Sequence, residues 1–112
     1  MTIYQKLRDA LEELEIPLKE DFMGGGAEEY ITWTETGESR SVMADDEPIL
    51  DVKGLYIHWF LPRKKKHSET ETRIRRMLLA GGFTWPKVTT ITEPDNKTRH
   101  IVFECEVEND ID

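Results

Sequence analysis

The sequence predicts an α+β domain: a mainly antiparallel sheet of four or five strands with two helices packed on one of its faces. Three observations carry that expectation. Two segments, one at the N-terminus and one after residue 68, place apolar residues at three- and four-residue spacing on one side only, so each buries a single stripe. Between them, Gly54-Leu55-Tyr56-Ile57-His58-Trp59-Phe60-Leu61-Pro62 sets seven bulky or aromatic side chains in a row, the pattern of a central strand covered on both faces. Near the end, Ile101, Phe103, Cys105 and Val107 alternate with His100, Glu104, Glu106 and Glu108, which describes a strand with one buried and one solvated face.

Taken in order, Ile3, Leu7, Ala10, Leu11 and Leu14 predict a helix over residues 2–15, with Thr2 as N-cap, Gln5 three residues on, and Pro17 closing the segment. Residues 18–28 read as a flexible loop around Met23-Gly24-Gly25-Gly26-Ala27. The glycine triplet is no phosphate cradle, because no Gly-Lys-Ser/Thr follows and Glu28-Glu29-Tyr30-Ile31 leads into a strand. Tyr30 to Thr34 is a first strand, Glu35-Thr36-Gly37-Glu38 has the composition of a turn, and Arg40 to Met43 reads as a short return strand. Ala44-Asp45-Asp46-Glu47-Pro48 breaks the pattern before Ile49 and Leu50 resume. This acidic stretch lacks the alternating oxygen ligands, central glycine and distal glutamate of a calcium loop, so a solvated turn is expected.

After the central strand comes the basic run Arg63-Lys64-Lys65-Lys66, then Ser68 and Glu71 at the spacing of reciprocal helix caps. Ile74, Met77 and Leu78 give the second helix its stripe, and Gly81-Gly82 ends it. Residues 87–92 and 98–107 form the last antiparallel hairpin across the turn Glu93-Pro94-Asp95-Asn96-Lys97, with 109–112 as a frayed tail. The 112 residues make one domain, 1–112.

Composition bounds the function. A net charge of −8 argues against nucleic-acid binding, which needs a cationic footprint. Cys105 is the single cysteine, so an internal disulfide and a cysteine-based zinc site are excluded and a reducing, cytoplasmic setting fits. The charged N-terminus suits neither a signal-peptide core nor a membrane span. His58 and His100 fall on neighbouring strands, yet no third ligand is spaced to make a metal site with them or with His67. No nucleophile elbow or zinc-protease motif occurs, so neither catalysis nor a cofactor is expected.

The charge is unevenly placed. Residues 1–53 carry 14 acids against 5 bases, net −9, whereas residues 62–76 carry 7 bases against 2 acids, net +5. Such asymmetry lets copies of one chain attract each other head to tail. The expected contact brings Arg63, Lys64, Lys65 and Lys66, with Arg73 and Arg76, against Asp45, Asp46 and Glu47 of a neighbour.

Several short stretches carry a family likeness that spans residues 1–108: Tyr30-Ile31-x-Trp33 followed by Glu35-Thr36-Gly37, then Ala44-Asp45-Asp46, then Tyr56-Ile57 with Leu61 and a lysine-containing turn. A second helix closing at Ala80-Gly81, Trp85, and Phe103-Glu104-x-Glu106 in the last strand complete it. With the order helix, loop, hairpin, central strand, helix, hairpin, the chain resembles the small tail-completion or tail-terminator proteins of long-tailed bacteriophages and prophages. The resemblance implies a homo-oligomeric ring, with a hexamer among its forms, made by the free chain or only on assembly, that caps the tail tube and offers a face to the head connector. It implies a virion component assembled in the host cytoplasm, with the tail tube and head connector proteins as partners and no cofactor. The alternative is a small monomeric adaptor binding an acidic protein partner through its basic helix. A small enzyme would need a pocket that the sequence does not spell out.

Overall fold

The computed structural model describes residues 1–20 and 28–110. The central part of the expected 18–28 loop and the end of the expected frayed tail, residues 111–112, lie outside the described residues.

The chain is an α+β domain in which five strands form one mostly antiparallel sheet, ordered β1-β2-β3-β5-β4, beneath two helices. Helix α1 (Ile3–Leu11) begins as its capping residues dictate: the Thr2 hydroxyl accepts from the Gln5 N–H at 3.1 Å while the Gln5 side chain accepts from the Thr2 N–H at 2.8 Å. A 3-10 turn over Glu12–Leu14 follows, and Glu15 takes a left-handed conformation (φ 57) with its N–H on the Glu12 carbonyl. Strand β1 (Leu18–Glu20) then pairs in parallel with β2 (Tyr30–Ala44). The expected loop is therefore corrected at its start. Three backbone residues joining a sheet edge need almost no side-chain burial, so they leave little hydrophobic signature.

The β2–β3 unit departs most from expectation. Strand β2 runs unbroken to Ala44 and β3 (Glu47–Pro62) returns from it, joined by Asp45 and Asp46, both at positive φ (52 and 66) as a two-residue hairpin turn with matching twist requires. Residues 35–38 are not a turn, and Arg40 to Met43 is not a return strand. The register passes from Glu35 opposite Leu55 to Ser39 opposite Lys53, so Thr36, Gly37 and Glu38 together face Gly54 as a bulge. Gly37 has φ 85, and a Cβ on Gly54 would lie 2.5 Å from Thr36 Oγ1, so the bulged threonine occupies the space that Gly54 leaves open.

Helix α2 (Ser68–Ala80) starts without the expected reciprocal cap. Ser68 is its first helical residue and His67 the N-cap, so the serine hydroxyl sits one position too late to cap; Glu71 instead lies 3.5 Å from His67 Nδ1. Its C-terminus does follow the glycines: Phe83 N–H donates to Leu78 O at 3.0 Å and Gly82 N–H to Leu79 O at 3.2 Å, with Gly82 at φ 96. A Cβ on Gly81 would meet Ala10 Cβ at 2.7 Å, which records how closely the two helices approach.

Strands β4 (Lys87–Thr92) and β5 (Thr98–Asp110) form the expected hairpin, its turn held by Asp95, whose carboxylate accepts from Lys97 N–H, Thr98 N–H and the Thr98 hydroxyl. These bonds, led by the Lys97 amide, hold the Asp95 carboxyl below its usual pKa. Asn109 and Asp110 are not frayed, since they pair with Asp51 and Leu50 of β3.

Leu55, Ile57, Trp59 and Leu61 of β3 have no exposed surface, packed with Ile31, Trp33, Ile101 and Phe103 under Leu7, Leu11, Ile74 and Leu78 of the helices. The expectation that β3 is covered on both faces is corrected: Tyr56, His58 and Phe60 alternate onto the side without helices and stay partly exposed. Aromatic and imidazole rings shield one another there, and sequence hydrophobicity alone cannot separate that from burial under a second layer.

Candidate functional site

Strand β3 begins at the acidic hairpin tip and ends at the basic turn. Its sixteen residues account for almost the whole 53 Å long dimension of the molecule, at about 3.3 Å per residue. Asp45, Asp46 and Glu47 are exposed at one end, and Arg63, Lys64, Lys65 and Lys66 are exposed at the other. Within one chain the structure therefore separates the two sets that the sequence nominates as mutual partners. Arg73 and Arg76 point outward from α2, one helical turn apart. Lys65 is engaged by Glu29, whose other oxygen accepts from the Trp59 indole N–H at 2.9 Å. Arg63 is tied into the turn, its guanidinium donating to Asn96 Oδ1 at 3.0 Å and its carbonyl accepting from Arg99. Among the described residues, Lys64 and Lys66 form no ion pair.

The bare sheet face carries a second constellation beside the basic end. Tyr30 on β2, Phe60 on β3, His100 on β5 and Ile91 on β4 occupy one registered row across four strands. Tyr30 stacks on Phe60 with ring centres 4.8 Å apart, and Phe60 on His100 at 4.1 Å. His58 lies diagonally from His100 and joins it through Nδ1 and Nε2 at 2.9 Å.

The proton positions follow from the acceptors. Glu93 Oε1 lies 2.8 Å from His100 Nδ1, so that nitrogen carries the hydrogen and His100 Nε2 is the acceptor in the neutral ring. His58 Nδ1–H then donates to it, leaving His58 Nε2 to accept from the Thr34 hydroxyl at 3.5 Å. The result is a fixed chain, Thr34 to His58 to His100 to Glu93, in which every ring nitrogen is used. Burial on the sheet, and secondarily the repulsion that a protonated His100 would exert, lower the His58 pKa from its usual 6.5. Sequence spacing places the two histidines on adjacent strands, but Glu93 was missed. It sits in the turn, where only the hairpin register shows that it reaches His100.

Other nominated groups remain packing elements. Burial pushes the Cys105 thiol up to about 12, with Glu104 and Glu106 adding to the shift, so it is no nucleophile. No group of three His, Cys, Asp or Glu side chains is placed to hold a metal ion among the described residues. A hollow of about 590 Å³ lies between the start of α1 and β2, lined by Gln5, Glu20, Trp33, Glu35 and Asn109, away from the histidine chain. Arg75 lies over the Trp85 ring at 4.5 Å, outside both charged ends. No helix among the described residues is long and apolar enough to cross a membrane. No protein-family model matches the chain, and no curated protein matches it at a significant level.

Proposed function

We propose that this protein is a ring-forming structural component of a phage or prophage tail, a tail-terminator or head–tail joining protein that caps the tail tube and meets the head connector. The observation that carries the reading is the separation of an exposed acidic hairpin tip from an exposed basic turn by the length of a 53 Å molecule. A chain with opposite charges at its two ends makes heterologous contacts, tip of one copy to turn of the next, and such contacts close into a ring when the rotation between copies permits. The sequence likeness to tail-terminator proteins supplies the setting: a virion component assembled in the host cytoplasm against the end of the tail tube. The scaffold suits a structural role, since the residues at both ends are carried on one continuous strand and are fixed relative to each other.

A second reading draws on α2. Arg73 and Arg76 are exposed one turn apart, as an adaptor gripping a single acidic partner would display them. The two readings separate on self-association. Replacing Lys64, Lys65 and Lys66 together by glutamate should lower the melting transition only through the lost Lys65–Glu29 pair and leave the chain folded, because exposed charges contribute little to folding. The same change should abolish self-association, or tail joining in a complementation assay. A triple variant that assembles and joins tails like the parent would remove the charged turn from the ring contact.

A further inference from the structure

Each end of the molecule sets apolar surface beside its charge, exposed at the tip, and at the other end made of half-buried Tyr30 and Phe60, buried His100 and exposed Ile91. At the tip, where among the described residues β2 and β3 continue beyond the pairing of Leu50 with Asp110, Met43 is 55% exposed and Ile49 50%. Both lie within a few residues of Asp45, Asp46 and Glu47. At the other end, the row Tyr30, Phe60, His100 and Ile91 lies next to the basic turn, and Phe60 precedes Arg63 by three residues along β3. One chain cannot bring the two ends together, because β3 holds them apart.

We infer that the row Tyr30–Phe60–His100–Ile91 is the receptor for the hairpin tip of a second copy of this chain. Met43 and Ile49 rest on the rings while the carboxylates of Asp45, Asp46 and Glu47 meet Lys64, Lys66 and Arg63 alongside. This deepens the ring reading above and rests on it. On both sides the apolar anchor lies a few residues from the charge: Met43 and Ile49 are two residues from Asp45 and Glu47, and Phe60 is three from Arg63 and four from Lys64. The chemistry agrees as well, since a methionine thioether adapts to aromatic faces and an apolar contact flanked by opposite charges fixes both affinity and register. The hydrogen-bonded chain from Glu93 through His100 to His58 gives the rings a fixed orientation before the partner arrives. A pre-organised aromatic anchor of this kind loses little side-chain freedom on binding, which is where contact hot spots concentrate. The histidine chain is thereby a positioning device for the platform, with no catalytic part.

The test places a benzophenone side chain at Met43, irradiates the assembled full chain, and maps the intermolecular adduct. Adducts on the peptides holding Tyr30, Phe60 or Ile91 are expected, and Phe60→Ala should weaken self-association about tenfold at a temperature where circular dichroism shows it folded, its melting point being lowered by the lost ring stacking. Adducts confined to α1 or α2, or a Phe60→Ala variant that associates like the parent, would overturn the receptor while leaving ring assembly through the charged ends intact. A parent chain that stays monomeric at about 1 mM would overturn both.

Discussion

Replacing Trp59 by alanine tests the one-sided core. Trp59 has no exposed surface and sits between Ile57 and Leu61 on the face that the helices cover. A buried tryptophan removes about 200 Å² from water. At about 25 cal/mol per Å² that is about 5 kcal/mol, and partial relaxation of the cavity brings measured truncations into the range of about 3–5 kcal/mol. The lost hydrogen bond from the indole N–H to Glu29 adds little, because Glu29 keeps Lys65. The expected cost is about 4 kcal/mol, a large share of a domain stability of about 5–15 kcal/mol, with the melting midpoint lowered by about 15 °C. Tyr56→Ala, three residues earlier on the bare face, should cost about 1 kcal/mol or less, since Tyr56 is already 38% exposed. Urea unfolding followed by far-UV circular dichroism, with slopes compared across the variants, measures both. A Trp59→Ala cost under about 1 kcal/mol, or a Tyr56→Ala cost equal to it, would refute the assignment of faces.

His58 gives a pH prediction. Because burial and His100 hold its folded pKa below the usual 6.5, the unfolded chain takes up the proton first, and stability falls as pH drops below about 6.5 until the folded value is passed. Thermal melts of the parent and of His58→Gln through this range should differ in slope, and equal slopes would assign the loss to other groups. At the bulge, Gly54→Ala should destabilise by about 1–3 kcal/mol through the clash with Thr36, and Thr36→Ala in the same chain should recover most of that. No recovery in the double variant would show that the bulge is not shaped by this contact.

What the sequence makes legible is whatever depends on local pattern. The Thr2–Gln5 cap, the one-sided stripes of both helices, the Gly81-Gly82 stop and the last hairpin are each written within a few residues, and each forms as read. The misread elements depend on distant partners. Glu35-Thr36-Gly37-Glu38 has the composition of a turn, and it becomes a bulge only because β3 continues to pair on both sides of it. Leu18 to Glu20 is a strand because the β2 edge is available to it. The apolar run of β3 reads as doubly buried, whereas the fold supplies helices for one face only. The charged candidates are visible by composition, but their placement at opposite ends follows from a sixteen-residue strand, of which local pattern marks only the apolar run from Leu55 to Leu61. The histidine chain was half visible, lacking Glu93, because turn geometry and strand register together bring that carboxylate to His100.

The central claim is a charge-directed contact between the tip of one copy and the turn of the next, and a two-variant mixing experiment tests it most directly. One variant carries Lys64, Lys65 and Lys66 all changed to Glu; the other carries Asp45, Asp46 and Glu47 all changed to Lys. Sedimentation equilibrium at low salt, where charges act over about 30 Å at 0.01 M before they are screened, should find each variant monomeric alone and an equimolar mixture associating as the parent does. Each charge-reversed end then meets a complementary end on the other variant. Association of either variant alone, or a mixture that stays monomeric where the parent assembles, would contradict the account.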